Sequence, residues 1–557
     1  MDIYQKTQRG IKKQLGIRSW ELGMIANSIL LKQLLLIPNF ILRRILKMLA
    51  KVCSYGLYGI TGFAVTVEVD INNGLPGIET VGLPDAAIRE SKERVRSAIK
   101  NSGFKMPTTK VTVNLAPADI KKEGPVYDLP IALGLLAASA QIDYKKLGDT
   151  IFLGELSLDG GVVHINGILP LLISARESGF KSAVIPVANL NEASYIDGLN
   201  VYAVGHLIDA VNIIESDNAK PITFKPIAST SVSLKNQVDF KYVKGQYSAK
   251  RALEIAAAGG HNILMIGPPG AGKTMLAKAL PTILPDMTAE EALETTKIHS
   301  VCGLLSDCEG IVASRPFRTP HHTATRVALT GGGPNSRPGE VSLAHNGVLF
   351  MDEMPEYPRT TLEILRQPLE DGEITVARAA RTVKYPANFM LVASMNPCPC
   401  GNFGSSGKGE CRCAPSQIQK YVGRLSGPLL DRIDLHIEVD NVTYDDLSGG
   451  TLAEDSKSIK ARVDKARDIQ LKRFDGSGTY SNAKMSNAMT TDFCVLDDKC
   501  KEIVSCAFER LGLSARAYNR ILKVARTICD LDGAESLQPK HISEAIMYRT
   551  LDRKYWV

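Results

Sequence analysis

A glycine-rich turn is the first place in this chain where residue types and spacing could do chemistry. The segment "HNILMIGPPGAGKTMLAKAL" puts it between an apolar stretch and a helical pattern. Glycines let backbone N–H groups surround phosphate oxygens, and the helix N-terminus adds partial positive charge. Lys273 would reach the β- and γ-phosphates and Thr274 would ligate Mg²⁺, so the pattern predicts a nucleotide-binding P-loop. Its residues are Gly267, Pro268, Pro269, Gly270, Ala271, Gly272, Lys273 and Thr274.

Acidic and amide side chains follow two further apolar stretches. "NGVLFMDEMPE" ends a predicted strand at Asp352 and Glu353, and "LVASMN" ends another at Asn396. Asp352 is expected to hold the metal through water, and Glu353 to polarise the attacking water. Acidic residues at a strand end are common, but such a pair downstream of a P-loop is stronger evidence for an ATP-hydrolysis site. Asn396 then fits as the polar residue on a neighbouring strand that positions the water.

Three arginines are candidates for contacts to phosphate. In "YVGRLSGPLLDRIDLHIEV", Arg424 and Arg432 precede a strand. The Leu-Leu-Asp-Arg context favours Arg432 as an arginine finger, which stabilises transition-state charge, with Arg424 as the alternative. Arg516 begins the helical pattern of "SARAYNRILKVARTI". It is either a residue that reaches the γ-phosphate of a bound nucleotide or an ordinary surface arginine.

Four cysteines follow Asn396 in two Cys-x-Cys pairs, separated by a stretch rich in Gly and Ser: Cys398, Cys400, Cys411 and Cys413. Zinc favours four tetrahedral thiolates. Cys-x-Cys is tighter than the usual Cys-x2-Cys, so a disulfide-like staple and free thiols remain open. We expect structural support for the loop that leaves Asn396, because four protein ligands would leave zinc no open position.

Composition limits the class of protein. The chain has 557 residues, 44% hydrophobic and 22% charged, as in soluble globular proteins. Residues 1–47 hold nine Lys/Arg and two Asp/Glu, which accounts for the whole net charge of +7. The rest is neutral, so any DNA-binding surface must be a local patch. Eleven cysteines, mostly scattered, fit a reducing compartment and a cytoplasmic location.

The first 47 residues are both apolar and basic. Lys32 and Arg43-Arg44 interrupt the uncharged runs, and none reaches the roughly 18–20 residues of a membrane span. A signal peptide, a surface-seeking helix and translated upstream sequence are the alternatives. We expect no stable membrane association. Beyond them, residues 48–210 alternate strands and helices, 211–240 read as a linker, 241–445 form a second α/β unit, and 446–557 are mostly helical.

Taken together, these motifs resemble an AAA+ ATPase, and their order resembles the magnesium-chelatase branch. "RPFRTPHHTATRVALTGGGPNSRPGEVSLAHNGVLFMDEMPE", "LRQPLEDGEITVARA" and "MNPCPCG" are similar to the ComM/YifB family, from about Met48 to the end. The resemblance implies an α/β P-loop AAA+ core with a helical C-terminal lid, and ATP and Mg²⁺ as cofactors. Family members typically begin with "MLAKV", as at Met48, so residues 1–47 are expected to be a non-native upstream extension.

The front domain resembles the proteolytic domain of Lon (ribosomal S5 domain 2-like, α+β) in "EGPVYDLPIALGLLA" and "GELSLDGGVVHINGILPLLISARESGFKSAVIPVANL". Lon-type proteases carry a Ser and a Lys where this chain has Val126 and Leu169, and neither can act as nucleophile or base. Lys121 and Lys122 do not restore the dyad, because the nucleophile is still absent. The domain is therefore expected to be non-proteolytic and to serve as an assembly and substrate-guiding ring.

Two insertions are candidates for contact with DNA. "DGEITVARAARTVKYPANF" predicts a β-hairpin, and in ring ATPases of this branch such hairpins face the central pore. Arg378, Arg381 and Lys384 would contact phosphates, unless they are solvated loop charges. "RTPHHTATRVALTGGG" is the second insertion, with His321 and His322. Neighbouring histidines on a strand point apart, which argues against a metal site there.

The implied function is an ATP-dependent hexameric ring motor on single-stranded or branched DNA, like the branch-migration helicases of natural transformation and recombination in this family. An arginine finger acts on the neighbouring subunit's nucleotide, so Arg432 implies a homo-oligomer. The alternatives are a chaperone-like protein remodeller and a magnesium-chelatase motor subunit. The latter would normally lack the Lon-like domain and the cysteine cluster.

Overall fold

The computed structural model describes residues 49–143, 147–216, 219–226, 238–305, 310–333, 336–378, 381–404, 410–442 and 453–556. Residues 1–47, and the predictions made for them, lie outside this part of the chain. The chain divides into two compact units, Met1–Lys225 and Pro226–Val557. In the described part of the chain, no helix combines the length and the apolar character needed to cross a membrane.

A seven-stranded mixed sheet forms the first unit, in the order β3-β4-β2-β1-β5-β8-β9. β1 and β2 are a long antiparallel hairpin that pairs Leu49 with Asp70 and closes at Tyr58 and Thr61. β2 alternates buried and more exposed residues, as a strand with one covered face does. β1 to β9 are Leu49–Tyr58, Thr61–Asn72, Gly77–Val81, Lys110–Ala116, Thr150–Phe152, Glu155–Leu156, Val162–Val163, Ser182–Pro186 and Asn200–Val204.

Five helices lie within the described residues of the first unit. The second is buried at every position, which explains why its sequence "DLPIALGLLAA" is apolar after Asp128. The fifth is capped by His206 and Asp209 in a capping box and buries Val211 and Ile214. It carries the first unit past residue 210, where the sequence pattern ends the domain. α1 to α5 are Ala86–Asn101, Asp128–Ala138, Ile168–Glu177, Leu190–Ala193 and Leu207–Glu215.

The second unit is built on a five-stranded sheet in the order β11-β14-β17-β10-β18. Its described pairings are all parallel, and β10, β14 and β17 are buried along their whole length. Parallel sheets covered on both faces carry such continuous apolar runs. The residues that follow β10, β14 and β17 therefore meet at one edge of the sheet. These strands are Ile263–Ile266 (β10), Phe317–Arg318 (β11), Val348–Met351 (β14), Met390–Met395 (β17) and Leu435–Glu438 (β18).

Nine helices lie within the described residues of the α/β part of the second unit. They include short ones that begin at proline or follow it, where φ is already helical. α6 to α14 are Tyr247–Gly259, Lys273–Ala279, Ala289–Cys302, Arg326–Thr330, Glu340–Leu343, Arg359–Ile364, Arg366–Asp371, Pro415–Val422 and Gly427–Leu430.

The C-terminal part is helical and shares the core of the sheet. α15 and α18 both pack on α6, the helix that enters β10. α18 starts at Ser514, whose side chain accepts from the N–H of Ala517, and buries a continuous face around Val524 and Ile528. α15 to α20 are Ser456–Arg473, Asn487–Phe493, Asp498–Leu511, Ala515–Leu531, Pro539–Met547 and Leu551–Trp556.

Both predicted insertions are ordered around short pairings. The hairpin predicted from the sequence is present: β15, Glu373–Arg378, pairs antiparallel with β16, Arg381–Pro386. In the second insertion, Gly331–Gly332 (β12) pairs with Arg337–Pro338 (β13). The expectation that His321 and His322 point apart on a strand is wrong. They lie in a turn outside any strand, where nothing forces alternation, and their ring centroids are 4.1 Å apart.

Candidate functional site

One edge of the five-stranded sheet collects the residues of the predicted nucleotide site. The glycine-rich turn follows β10, Asp352 follows β14 and Asn396 follows β17. Lys273 Nζ donates to the carbonyls of Gly267 at 2.6 Å and Pro268 at 2.9 Å. It also donates to Asn396 Oδ1 at 3.1 Å. The ammonium group thus joins two strand ends.

The turn leaves room for a ligand in front of α7. Gly272 caps this helix with φ +91°, a conformation that favours glycine. A Cβ at Gly272 would meet no described atom within 4 Å. Open space and a helix start together suit a phosphate chain.

Asp352 is held at both carboxylate oxygens. Thr274 Oγ1 donates to Oδ2 at 2.9 Å, and Ser394 Oγ donates to Oδ1. The N–H of Glu353 donates to both Oδ1 and Ser394 Oγ, at 3.2 Å each. A hydroxyl beside a carboxylate is the hard-oxygen set that Mg²⁺ prefers, so these residues fit the predicted metal. Sequence reasoning missed Ser394, whose signal is one polar residue inside an apolar strand.

Glu353 takes an unusual backbone conformation. Its φ is +50°, the left-handed region, in which a non-glycine residue costs of the order of 1 kcal/mol. The turn directs the chain from β14 into a short 3₁₀ helix, Met354–Glu356, and leaves the Glu353 side chain exposed beside Asp352. Strain of this kind collects at functional sites, where the surroundings fix a side chain's direction.

Burial and charge act in opposite directions on Lys273. Burial lowers the pKa of its ammonium group below the ordinary value, while Asp352 and Glu353 partly offset that shift. Burial penalises the charged form because the group loses water. A phosphate chain would supply the negative charge that the buried ammonium lacks.

Arg424 lies at this same edge in its own chain. Its Nη1 donates to the Pro355 carbonyl and to Glu356 Oε2, both at 2.9 Å, just beyond the Asp352-Glu353 pair. The guanidinium lies 5.9 Å from the ring centroid of Tyr421. Burial raises the pKa of Tyr421 to about 12, although its hydroxyl bonds the backbone of Asn396. Both side chains therefore line the Asn396 side of the site.

Arg432 lies at the opposite edge. It precedes β18, and its carbonyl accepts from Asn262 Nδ2 at 2.9 Å, the residue that precedes β10. The four residues of β10 separate Asn262 from the glycine-rich turn, about 13 Å of strand. Arg432 is buried and bonds Glu370 and the Pro428 carbonyl. It does not point into its own chain's P-loop.

Arg516 is beside Arg432. Its Nη2 lies 3.8 Å from Glu370 Oε1, the carboxylate that also bonds Arg432. The buried Asp434 fixes this arrangement: it bonds Arg520, one helical turn after Arg516 on α18. The structure thus brings the two predicted phosphate-contacting arginines together, at a distance from Lys273 and Asp352.

A cavity of about 320 Å³ opens at this second edge. Burial lowers the pKa of Arg432, and the neighbouring Arg516, Arg366 and Arg520 lower it further. Such an excess of cations favours an anion. The basic residues that line the cavity are Arg432, Lys484, Arg516, Arg520 and Lys523.

The four clustered cysteines have metal-site geometry. Cys398 Sγ lies 3.3 Å from Cys400 Sγ and 3.7 Å from Cys411 Sγ, and all four sulfurs lie within 4.8 Å of one another. Thiolates about 2.3 Å from one zinc ion lie about 3.8 Å apart at the corners of a tetrahedron. A disulfide needs about 2.05 Å, and the described cysteines are free thiols. The cluster could hold a structural metal.

This loop packs directly against the P-loop. Gly401 has φ +83°, and a Cβ there would lie 2.4 Å from Pro269 Cδ. On its other side, the ring of Phe403 is 6.3 Å from that of Tyr555 in α20, and Tyr555 bonds Glu438 of β18 at 2.9 Å. The cysteine loop therefore links the end of β17, the P-loop and the C-terminal helix.

The residues expected to meet DNA lie on the hairpin. Arg378 and Arg381 pair across its tip, and their side chains lie outside the described part of the structure. Lys384 is exposed and bonds Glu373 on the facing strand at 2.6 Å. Val376 and Tyr385 are buried, which anchors the base of the hairpin.

In the first unit, neither replaced position carries a reactive group. Leu169 is buried and its N–H donates to Glu192 Oε1 at 3.0 Å. Lys122 is buried, bonds the Pro117 carbonyl and has a pKa lowered by burial. Lys121 pairs with Glu123 at 3.1 Å. These contacts are structural, and the absence of peptidase activity stays a prediction.

Comparison with known protein families finds three matches along this chain. Residues 239–447 match the family described as "Magnesium chelatase, subunit ChlI", residues 67–189 match "Subunit ChlI of Mg-chelatase", and residues 453–549 match "Magnesium chelatase, subunit ChlI C-terminal". This family implies ATP and Mg²⁺, and the mixed α/β fold with a parallel sheet is consistent with its AAA+ type.

Individual relatives cover nearly the whole chain. The "Competence protein ComM" of Haemophilus influenzae is 44% identical over 508 residues, 91% of this chain and 98% of its own length. YifB of Escherichia coli is 44% identical over 496 residues, 89% of this chain and 96% of its own. A magnesium-chelatase 38 kDa subunit of Cereibacter sphaeroides is 25% identical over only 37% of this chain and 60% of its own length.

The first prediction concerns nucleotide turnover. Glu353→Gln should still bind ATP but hydrolyse it slower by a factor on the order of 10²–10⁴, because the water loses its polarising carboxylate. Lys273→Ala should weaken nucleotide binding itself. Steady-state hydrolysis and nucleotide titration separate the two. Glu502→Gln, an exposed acid on α17 outside the site, is the control and should retain the rate. A wild-type rate in Glu353→Gln would refute the site.

The second prediction concerns the cysteines. Protein purified without chelator should carry about one zinc ion per chain, and Cys400→Ser should lower that content. Elemental analysis measures it. Cys506→Ser, an exposed cysteine outside the cluster, is the control and should leave the metal content unchanged. Metal-free protein in which all four clustered thiols titrate freely would exclude the metal.

Proposed function

This chain belongs to the ComM/YifB family of magnesium-chelatase-like proteins, and on that premise we propose that it is the subunit of an ATP-driven ring motor that acts on DNA. The coarser part, an AAA+ protein that uses ATP and Mg²⁺, follows from the family. The ring, the DNA and the roles of single residues are the proposal.

The observation that carries the proposal is the division of the site between two edges of one sheet. Lys273, Asp352 and Asn396 lie at one edge, and Arg432 and Arg516 lie at the other. A hydrolysis centre that uses both sets needs two chains. The Lys273 side of one chain then faces the Arg432 side of the other. Such a head-to-tail contact closes into a ring when the rotation allows, and six subunits is the number we expect.

Within one such centre, each residue has a distinct task. Lys273 exchanges Asn396 Oδ1 and the turn's carbonyls for β- and γ-phosphate oxygens. Thr274 and Asp352 hold Mg²⁺, which neutralises phosphate charge when bound. Glu353 polarises the attacking water and Asn396 orients it. Arg432 of the neighbouring subunit stabilises the charge that develops on the transferred phosphoryl group.

DNA is supported as the substrate by two observations. A relative that covers nearly the whole chain is named "Competence protein ComM", and the family resemblance described above implies branch migration on DNA. The hairpin β15–β16 carries Arg378 and Arg381 at its tip, where two guanidinium groups could track phosphates. The class expected is single-stranded or branched DNA in the pore of the ring. If no DNA stimulates hydrolysis, the favoured alternative is a motor that remodels proteins.

Two parts have supporting roles in this proposal. The front domain, with Val126 and Leu169 at the positions of the Lon-type dyad, assembles the ring and guides substrate without cleaving peptides. Zinc on the four cysteines stiffens the loop that presses Gly401 on Pro269, and so supports the P-loop and the end of β17.

The third prediction tests the division between chains. Arg432→Ala and Lys273→Ala proteins should each hydrolyse ATP poorly, and mixing them should restore part of the rate. Mixed interfaces then pair an intact P-loop with an intact arginine. ATP hydrolysis as a function of mixing ratio measures this.

The control for this experiment is a mixture of Lys273→Ala with Glu353→Gln. Both changes lie at the same edge, so every centre in that mixture stays defective and no recovery is expected. Absence of recovery in the Arg432 mixture, with subunit exchange demonstrated by a fluorescent label, would place Arg432 outside the centre.

The fourth prediction tests the hairpin. Arg378→Ala/Arg381→Ala should retain basal hydrolysis but lose most DNA stimulation, and its DNA binding should depend less steeply on salt because phosphate contacts are lost. Lys457→Ala/Lys499→Ala removes the same charge from exposed C-terminal helices and is the control. Unchanged DNA binding and stimulation in the hairpin variant would remove the hairpin from the DNA path.

A further inference from the structure

A single carboxylate, Glu370, contacts both arginines at the second edge of the sheet. Arg432 Nη2 donates to Glu370 Oε2, and Arg516 Nη2 lies 3.8 Å from Oε1. The Arg432 side chain is only 7% exposed, while Glu370 is 52% exposed. A ligand that approaches the buried Arg432 from solvent therefore meets the half-exposed Glu370 first.

Two of the three donor nitrogens of Arg432 have a described partner within the chain. Nη1 donates to the Pro428 carbonyl at 2.7 Å and Nη2 to Glu370, while Nε is buried without a described partner. A guanidinium binds phosphate through the paired donors of its planar fork. A phosphate that binds through the Nη1–Nη2 pair therefore has to replace Glu370 on Nη2.

Glu370 is joined to the β-hairpin β15–β16 by a short connection. It lies in the last turn of α12, which ends at Asp371, and Gly372 with φ +69° leads directly into β15. The N–H of Ala387, which follows β16, donates to the Gly372 carbonyl at 2.7 Å. The base of the hairpin is thereby fixed to the helix end that carries Glu370.

We propose that Glu370 is a positioning residue that holds Arg432 and Arg516 away from the neighbouring subunit's phosphates until DNA moves the hairpin. The inference rests on the proposed function, since it takes Arg432 as the arginine that acts across the interface. DNA on the tip displaces the base of the hairpin and α12 with it, and phosphate then replaces Glu370 on the guanidinium.

The environment separates this contact from an ordinary surface ion pair. Pairs between exposed side chains contribute little, because water screens them and holding two chains costs entropy. Arg432 is buried instead, with Arg516 and Arg520 lining the same cavity. Glu370 offsets the repulsion among these cations, and an incoming phosphate would do the same, so the two compete for one place.

The test uses the full chain with Glu370→Gln, which keeps the shape and removes the charge. Without DNA, kcat for ATP should rise about fivefold, the effect of one modest ion pair on a barrier. The stimulation by a single-stranded oligonucleotide should fall toward a ratio of one. Glu370→Asp, with a shorter reach, should give an intermediate basal rate.

Two controls make the result specific. Asp371→Asn removes the same charge one residue further along α12 and should leave both the basal rate and the stimulation unchanged. Glu370→Gln/Arg432→Ala should lose the gain, because the released arginine is gone. A gain that survives in the double variant would overturn the proposal.

The opposite outcomes are equally clear. A lower basal rate in Glu370→Gln, with the DNA stimulation ratio retained, would make Glu370 a purely structural partner. If that variant does not fold, as judged by thermal melting, Glu370→Asp decides: an unchanged basal rate overturns the proposal. If wild-type protein hydrolyses ATP but no DNA stimulates it, the proposed DNA motor fails. A basal gain that requires Arg432 would still support the restraint by Glu370.

Discussion

Parallel strand direction is the constraint on which the second unit depends. In a parallel sheet all strand ends point one way, so loops after β10, β14 and β17 meet and loops before β10 and β18 meet elsewhere. Lys273, Asp352 and Asn396 belong to the first set and Arg432 to the second. The length of β10 keeps the two sets apart. For this reason, the proposed hydrolysis centre takes its two sets of residues from two chains.

Two segments, one a loop and one a helix end, connect these edges to distant parts of the second unit. At the first, the cysteine loop rests on Pro269 through Gly401 and reaches α20 through Phe403. At the second, Glu370 connects Arg432 to the base of the hairpin β15–β16. Each contact joins a structural element to a group proposed to touch nucleotide. The cysteine loop contacts the P-loop, and Glu370 contacts Arg432. Both are routes by which a distant event could alter hydrolysis.

Sequence reasoning reached the residues whose signals are local. The P-loop, the Asp352-Glu353 pair and the hairpin are each written in one short segment, with strand and helix patterns on either side. It missed Ser394, because one serine in a buried strand looks like ordinary strand variation. It also misjudged the His321-His322 pair, because the sequence did not show that the pair lies in a turn.

The positions of residues relative to distant parts of the fold were harder to predict from the sequence. The helical pattern around Arg516 gave a helix, but not the edge at which it docks, because that depends on long-range contacts. The buried Asp434 bonds Arg520 and so sets the position of Arg516 one turn earlier. Glu370 carried no signal either, since "LEDGE" reads as a polar turn before a hairpin. α5 extends beyond residue 210, the predicted end of the first domain, for the same reason: its buried face is defined by the sheet of the first unit.

The arginine cluster links assembly to nucleotide through free energy. An isolated chain keeps Arg432 buried beside Arg516 and Arg520, with the Glu370 carboxylate partly offsetting that charge. A nucleotide on the neighbouring subunit would bring phosphate charge to this edge and stabilise the contact between chains. Linkage is reciprocal for binding, so the contact must then raise the neighbour's affinity for nucleotide by the same factor. Ring formation and ATP binding would therefore strengthen each other, and under the proposed restraint Glu370 would set how much of that gain is available before DNA binds.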